Sequence, residues 1–188
     1  MVLRTKWSSL KEDFLYIFIG IFLAFAFDKV LGIILGSEMP LVAVASGSMI
    51  HDDSIYQNHY LWLKEHFNYS HDYINSWPVK RGFGIGDILL IKAEKNYSVG
   101  DVVVFDASPC EKASIVHRII AINPNGTYQT KGDHNFYQIP PENLINDPRF
   151  CYNERHIEKN KIYGRVIFII PKLGYIKILV TKLLGGGM

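Results

Sequence analysis

Hydrophobic residues fall along this chain in one long block followed by several short ones. Phe14 to Phe27 (FLYIFIGIFLAFAF) carries no charge, and after Asp28-Lys29 the apolar pattern resumes from Val30 to Leu35. About twenty such residues match the thickness of a bilayer core, which predicts one transmembrane helix over 14–36. The charged pair belongs near the outer interface, where Lys29 can extend its ammonium to water. A cleaved secretory signal is the rival reading, but the apolar pattern continues through Gly32 and Gly36 to Pro40 and into the next apolar run. Arg4, Lys6 and Lys11 precede the block, so the bias of basic residues keeps segment 1–13 in the cytoplasm and sends the rest outside.

The shorter runs read as strands. Leu41 to Ala45 ends in Ser46-Gly47-Ser48-Met49. Gly86 to Ile91 and Gly100 to Phe105 are each a Gly-Asp turn feeding an apolar run rich in branched residues, which predicts strands buried on both faces. Ile115 to Ile122, the turn Asn123-Pro124-Asn125-Gly126 and the return from Thr127 to Lys131 form a hairpin pattern, closed by the polar turn Gly132-Asp133-His134-Asn135. Pro140-Pro141 opens a long loop to Asn160, and Gly164 to Ile170 makes a last strand stopped by Pro171. Segment 52–84 is a polar and aromatic insertion, with a short helix expected over Tyr60 to Phe67 and a return to the body of the fold at Trp77-Pro78. Segment 173–188, with Lys177 and Lys182 among its apolar residues, is too short and too charged for a second span. It is read as amphipathic on the membrane surface, with a final core helix as the alternative. The expected fold is mainly β: an antiparallel domain over 37–172 behind one N-terminal transmembrane helix.

Composition narrows the functional classes. Of 188 residues 48% are hydrophobic, which excludes a disordered tail, and 20 basic against 18 acidic residues leave no dense cationic patch for nucleic acid. Cys110 and Cys151 are too few for a disulfide scaffold and lack zinc-site spacing; whether they pair stays open. His51-Asp52-Asp53 with His59, His66 and His71 raises a metal site, yet no HExxH or comparable pairing fixes ligands, and solvated histidines are the preferred explanation. Asn68, Asn96 and Asn125 each head a glycosylation acceptor triplet.

The chemistry centres on Ser48. A serine where a strand stops can meet a substrate, and Gly47 lets the backbone come close and offers torsions a Cβ would resist. An ordinary Ser/Gly turn explains the tripeptide as well, so the base matters. Serine is a weak nucleophile until a base takes its proton. His117 sits inside the apolar strand Ile115 to Ile120, and imidazole, with a reference pKa of about 6.5, is mostly neutral at pH 7. A core histidine bonded to a carbonyl is the competing explanation. Asp133, at the end of the adjoining strand, would orient the ring by accepting its other N–H.

Five ordered motifs sharpen this: Ser-Gly-Ser-Met at 46–49, Gly-Asp-Ile at 86–88, Gly-Asp-Val-Val-Val-Phe at 100–105, Val-His-Arg-Ile at 116–119 and Thr-Lys-Gly-Asp at 130–133. Together the chain resembles a type I signal peptidase of the endoplasmic-reticulum and archaeal branch, in which a histidine stands where bacterial enzymes carry a lysine; an archaeal source is expected. The resemblance implies a serine endopeptidase in the cell membrane, single-pass, with its β-rich domain extracytoplasmic. It would cut signal peptides from exported preproteins after Ala-X-Ala sites. It implies Ser48 as nucleophile, His117 as base, Asp133 as orienting acid, and an oxyanion hole from the Ser46 hydroxyl and the Ser48 backbone N–H. Signal peptides and membrane lipid are the implied partners, with the secretion translocon as a candidate associate and no cofactor. The substrate would lie as an added strand, the apolar runs at 41–45 and 103–105 framing its cleft.

The chain departs from the family pattern twice. His51 replaces the proline usual two residues after the Ser-Met step. Gln138, Ile139 and Pro140 stand where a second aspartate often follows the Gly-Asp motif, which leaves Asp147 as the rival to Asp133. Two other readings remain: a serine hydrolase or self-cleaving protease using Lys92, Lys95 or Lys131, and a non-catalytic binding domain whose insertion grips a partner.

Overall fold

The computed structural model describes residues 3–108, 114–144, 147 and 152–175. Helix α1 (Leu3–Leu35) comes first, and its stretch Leu10–Leu35 is the one helix among the described residues long and apolar enough to cross a membrane, with none of it buried inside the protein. The helix stops at Gly36, whose φ of 63° suits the position just past a helix end. The amide of Ala93 donates to the Leu35 carbonyl at 3.0 Å and the Ser37 hydroxyl donates to the Tyr163 carbonyl at 3.0 Å, which ties the helix end to the sheet.

Six strands follow, β1 (Leu41–Ala43), β2 (Ile88–Lys92), β3 (Val102–Phe105), β4 (Ile115–Ile122), β5 (Tyr128–Lys131) and β6 (Ile162–Ile170), interrupted after β1 by α2 (Asp53–Phe67) and α3 (His71–Asn75). They form one antiparallel sheet in the order β1-β2-β6-β3-β4-β5, the mainly β fold behind an N-terminal helix that the pattern predicts. β3 lies inside the sheet with all four residues buried, as expected of a strand covered on both faces. β2 differs: Leu89 and Ile91 are buried while Ile88, Leu90 and Lys92 are half-exposed, because only one face of that strand meets the core. The central position of β3 also removes segment 103–105 from any open cleft; β1, at a sheet edge, stays available.

Apolar side chains gather on both faces. Val42, Val44, Met49, Leu89, Ile91, Val102 and Val104 pack on one side, Val103, Phe105, Ile119, Tyr128 and Ile162 on the other. The insertion is helical earlier than expected, from Asp53, and breaks at Asn68, whose φ is 55°. A second helix starts because the Ser70 hydroxyl caps it by accepting the Tyr73 amide at 3.2 Å. Leu63, Ile74 and Trp77 then clamp the insertion onto Ile120 of β4. The loop after Pro141 runs beside β5 rather than away from it, with Tyr128 and Ile157 exchanging backbone hydrogen bonds of 2.9 Å. Cys110, Cys151 and most of the C-terminal segment, 176–188, lie outside the described residues.

Leu63 has no exposed surface. Leu63→Ala is expected to cost about 2–5 kcal/mol of stability, read as a lower denaturation midpoint of the whole domain rather than a separate early transition of the insertion.

Candidate active site

Ser48 sits in a turn fixed from three directions. Its neighbour Met49 is buried in the core, the Phe83 amide donates to the Met49 carbonyl at 3.1 Å, and the His134 amide donates to the Ser48 carbonyl at 2.8 Å. Ser46 and Ser48 present their hydroxyls side by side, the two oxygens 3.4 Å apart. The Ser48 N–H meets no acceptor among the described residues. Gly47 does not adopt a left-handed φ; what a side chain there would meet is Ile50, with Cδ1 3.0 Å from an added Cβ.

His117 lies on β4 opposite Val103 of β3, buried, with the Phe105 ring 6.3 Å away edge-on. Its Nδ1 is bonded to Glu154 Oε1. A carboxylate oxygen accepts, so Nδ1 carries a proton, and in the neutral ring Nε2 then has the lone pair. Nε2 faces the turn after β5: a Cβ added at Gly132 would lie 2.8 Å from it. The turn at 132–134 therefore holds the backbone of Ser48 on one side and the free nitrogen of His117 on the other. No hydrogen bond joins the Ser48 hydroxyl to His117 among the described residues.

Asp133 does not meet His117. Neighbouring strand residues point to opposite faces, and the aspartate lies on the side of Arg118, not of His117. Its fully buried carboxylate accepts from Arg118 Nε at 3.0 Å and Nη2 at 2.7 Å and lies 2.7 Å from His51 Nε2 and 3.4 Å from His59 Nε2. Burial alone would raise its pKa, but the Arg118 guanidinium, followed by the histidines, holds it well below the usual carboxylate range. Arg118 is itself occupied, donating to the carbonyls of Pro78 at 2.7 Å, Gly100 at 2.8 Å and Val79 at 3.2 Å. His51 spends its other nitrogen on the Lys80 carbonyl at 2.9 Å, so the residue replacing proline braces the nucleophile turn against Asp133. Burial pushes the pKa of His59 down to about 3, and its ring is neutral.

Lys131 is the buried lysine of the region. Its ammonium donates to the carbonyls of Gly132, at 3.1 Å, and Asn135, lies 3.2 Å from Nδ1 of His59 and faces the Trp62 ring at 5.4 Å. A nitrogen so engaged is a brace for the turn, not a base for Ser48. Lys92 pairs with Glu94 at 3.1 Å and Lys95 is exposed. Asp147 is half-buried in the loop, its amide donating to Leu144 at 3.0 Å.

Glu154, bonded to His117 Nδ1, is not singled out by the sequence. It lies in the loop that covers β5, within no periodic pattern; the one available signal was the missing second aspartate, which leaves an imidazole wanting a carboxylate from elsewhere.

A serine in the turn after β1 and a buried histidine on β4, behind the one membrane-length helix among the described residues, fit the class of membrane-tethered serine hydrolases. No family model and no solved structure matches the chain. It is 32% identical over 168 residues to the signal peptidase complex catalytic subunit SEC11 of Lachancea thermotolerans, covering 85% of this chain and 76% of that protein. The SEC11 of Yarrowia lipolytica is 30% identical over 166 residues, at 85% and 73% coverage, and that of Ogataea parapolymorpha 29% over 161, at 85% and 77%. The chain belongs to the family of signal peptidase catalytic subunits.

Two outcomes follow from the turn. Gly132→Ala pushes a methyl group against the Asn135 side-chain amide and His117 Nε2, 2.7 and 2.8 Å from the added Cβ, and is expected to lower kcat roughly 100-fold, as a displacement near 1 Å can, with a small change in thermal midpoint. The second concerns pH. Burial lowers the Lys131 pKa to about 8, the charges of Asp133 and Glu154 opposing it only in part. As pH rises through about 8 the brace loses its proton and activity is expected to fall. Global stability does not fall with it: between about 8 and the ordinary value near 10.4 the unfolded chain binds the extra proton, so this group adds stability as pH rises. Activity and thermal midpoint recorded across that range, with Lys131→Met lacking the limb near 8, test both.

Proposed function

We propose that the chain is a membrane-anchored serine endopeptidase that removes signal peptides from exported preproteins, with Ser48 as nucleophile and His117 as its general base. The observation that carries the assignment is the turn at 132–134, which grips the Ser48 carbonyl and abuts His117 Nε2. In this reading the Ser48 hydroxyl attacks the scissile carbonyl, His117 Nε2 takes its proton and passes it to the leaving amine, and water then releases the acyl group by the same base. The oxyanion is received by the Ser48 N–H and the Ser46 hydroxyl, each such donor typically worth about 3 kcal/mol. The substrate adds as a strand along the outer edge of β1, which runs directly into the nucleophile turn, and the small residues of an Ala-X-Ala site suit so shallow a surface.

The relatives are named catalytic subunits of a complex, which supports assembly of this chain with further subunits and with the secretion machinery. Its basic leader supports a cytoplasmic N-terminus and an extracytoplasmic β domain. The Ser-His pattern supports the endoplasmic-reticulum and archaeal branch as a whole; an archaeal source would set the chain in the cell membrane.

Ser48→Ala and His117→Ala, assayed on a preprotein with an Ala-X-Ala site, are each expected to abolish cleavage while folding and insertion persist. The double variant is expected to be hardly slower than either, since members of one catalytic unit do not act additively. Turnover persisting in Ser48→Ala would end the assignment. Protease added outside intact spheroplasts should digest the β domain; protection there would reverse the topology.

A further inference from the structure

We infer that Glu154, not an aspartate of the Gly-Asp turn, is the positioning carboxylate of His117. The inference rests on the Ser48-His117 reading and names its third member. Glu154 has no exposed surface and every polar edge of it is placed. Oε1 accepts hydrogen bonds from the His117 Nδ1–H and from the Thr130 hydroxyl, the latter at 3.2 Å, while Oε2 accepts the Ile139 amide at 2.7 Å. Its backbone is stitched on both sides, the amide donating to the Ile139 carbonyl at 2.7 Å and the carbonyl accepting the Thr130 amide at 2.8 Å. Position 139, in the neighbourhood where the family often carries its second aspartate, thus contributes a backbone N–H to a carboxylate that arrives from the loop beside β5. A carboxylate there holds the tautomer with Nε2 unprotonated and stabilises the imidazolium that forms when Ser48 gives up its proton. Asp133 is spent on Arg118 and His51 and serves the turn instead.

The geometry makes the amide variant informative. In Glu154→Gln a single carbonyl oxygen must choose between the His117 Nδ1 proton and the Ile139 N–H. If it takes Ile139, the amide nitrogen faces Nδ1 and drives the proton to Nε2, where the ring cannot accept from Ser48. Other charges around the ring, Lys131 on β5 with Asp133 and Arg118 across the strand, are unchanged in that variant.

The experiment measures kcat and KM against pH on one preprotein for wild type, Glu154→Gln, Glu154→Asp and Thr130→Val, with Ser48→Ala and His117→Ala alongside. Glu154→Gln is expected to lose roughly 10³- to 10⁴-fold in kcat with KM nearly constant, and the acidic limb of its residual profile moves to lower pH. Glu154→Asp restores charge and recovers part of the rate. Thr130→Val keeps the carboxylate but removes a donor from it, leaving more negative charge for the imidazolium, so its acidic limb moves to higher pH; this arm stands even if Glu154→Gln does not fold. An active Glu154→Gln beside inactive Ser48→Ala and His117→Ala overturns this inference alone. So does a loss in Glu154→Gln that Glu154→Asp fails to relieve, or a Thr130→Val limb that does not move. Active Ser48→Ala and His117→Ala overturn the underlying reading as well.

Discussion

The buried ion pair of Asp133 and Arg118 is the constraint from which the site is built. A carboxylate with no exposed surface is tolerable only when its charge is matched and its lone pairs are used; here the Arg118 guanidinium matches the charge, and Arg118 and His51 occupy the lone pairs, with the neutral His59 packed beside them. Each neighbour of the carboxylate comes from a different part of the chain: Arg118 from the sheet, His51 from the segment after Ser48, His59 from the insertion. Arg118 in turn gathers carbonyls from Pro78, Val79 and Gly100. The pair thereby sets where the nucleophile turn, the insertion and β4 stand relative to one another, before any catalytic group is considered.

That arrangement explains the division of labour between adjacent residues. On β4 the alternation of strand side chains sends Arg118 to the structural cluster and His117 to the opposite side, where Glu154 waits. Two carboxylates lie within reach of the same strand, and each serves its own partner, Asp133 the Arg118 guanidinium and Glu154 the Nδ1–H of His117. Lys131 supplies the link between the two sides through the carbonyls of Gly132 and Asn135, and its contacts with His59 and Trp62 make the insertion part of the support for the turn.

The strand pattern was legible because its period is local: the hairpin from Ile115 to Lys131, the edge run into Ser46-Gly47-Ser48 and the final strand before Pro171 all follow from alternation and turn residues. So was the membrane-length helix, through its uncharged run. The candidate nucleophile and base were legible as exceptions, a serine pair ending an apolar run and a histidine inside one. The carboxylate bonded to His117 was not. Asp133 looked suitable because it follows the paired strand, but sequence adjacency does not reveal which face a turn residue serves or that Arg118 has the stronger claim on it. Glu154 was hidden for the opposite reason, since its position depends on a loop lying back along β5, a long-range contact with no periodic trace. Lys131 was legible as a candidate base; only its ring of carbonyl acceptors assigns it another task.

The join between α1 and the sheet also decides where in space Ser48 stands. Five residues, Gly36 to Pro40, separate the helix from β1, and bonds from Ala93 and Ser37 fasten that step to the sheet. Ser48 is 13 residues past Leu35, at most about 45 Å along a fully stretched chain and less along this one. A protein so fastened to a bilayer acts as a height gauge. Any bond that reaches Ser48 must be presented at a fixed reach from the end of that helix, so the anchor and the site act as one ruler.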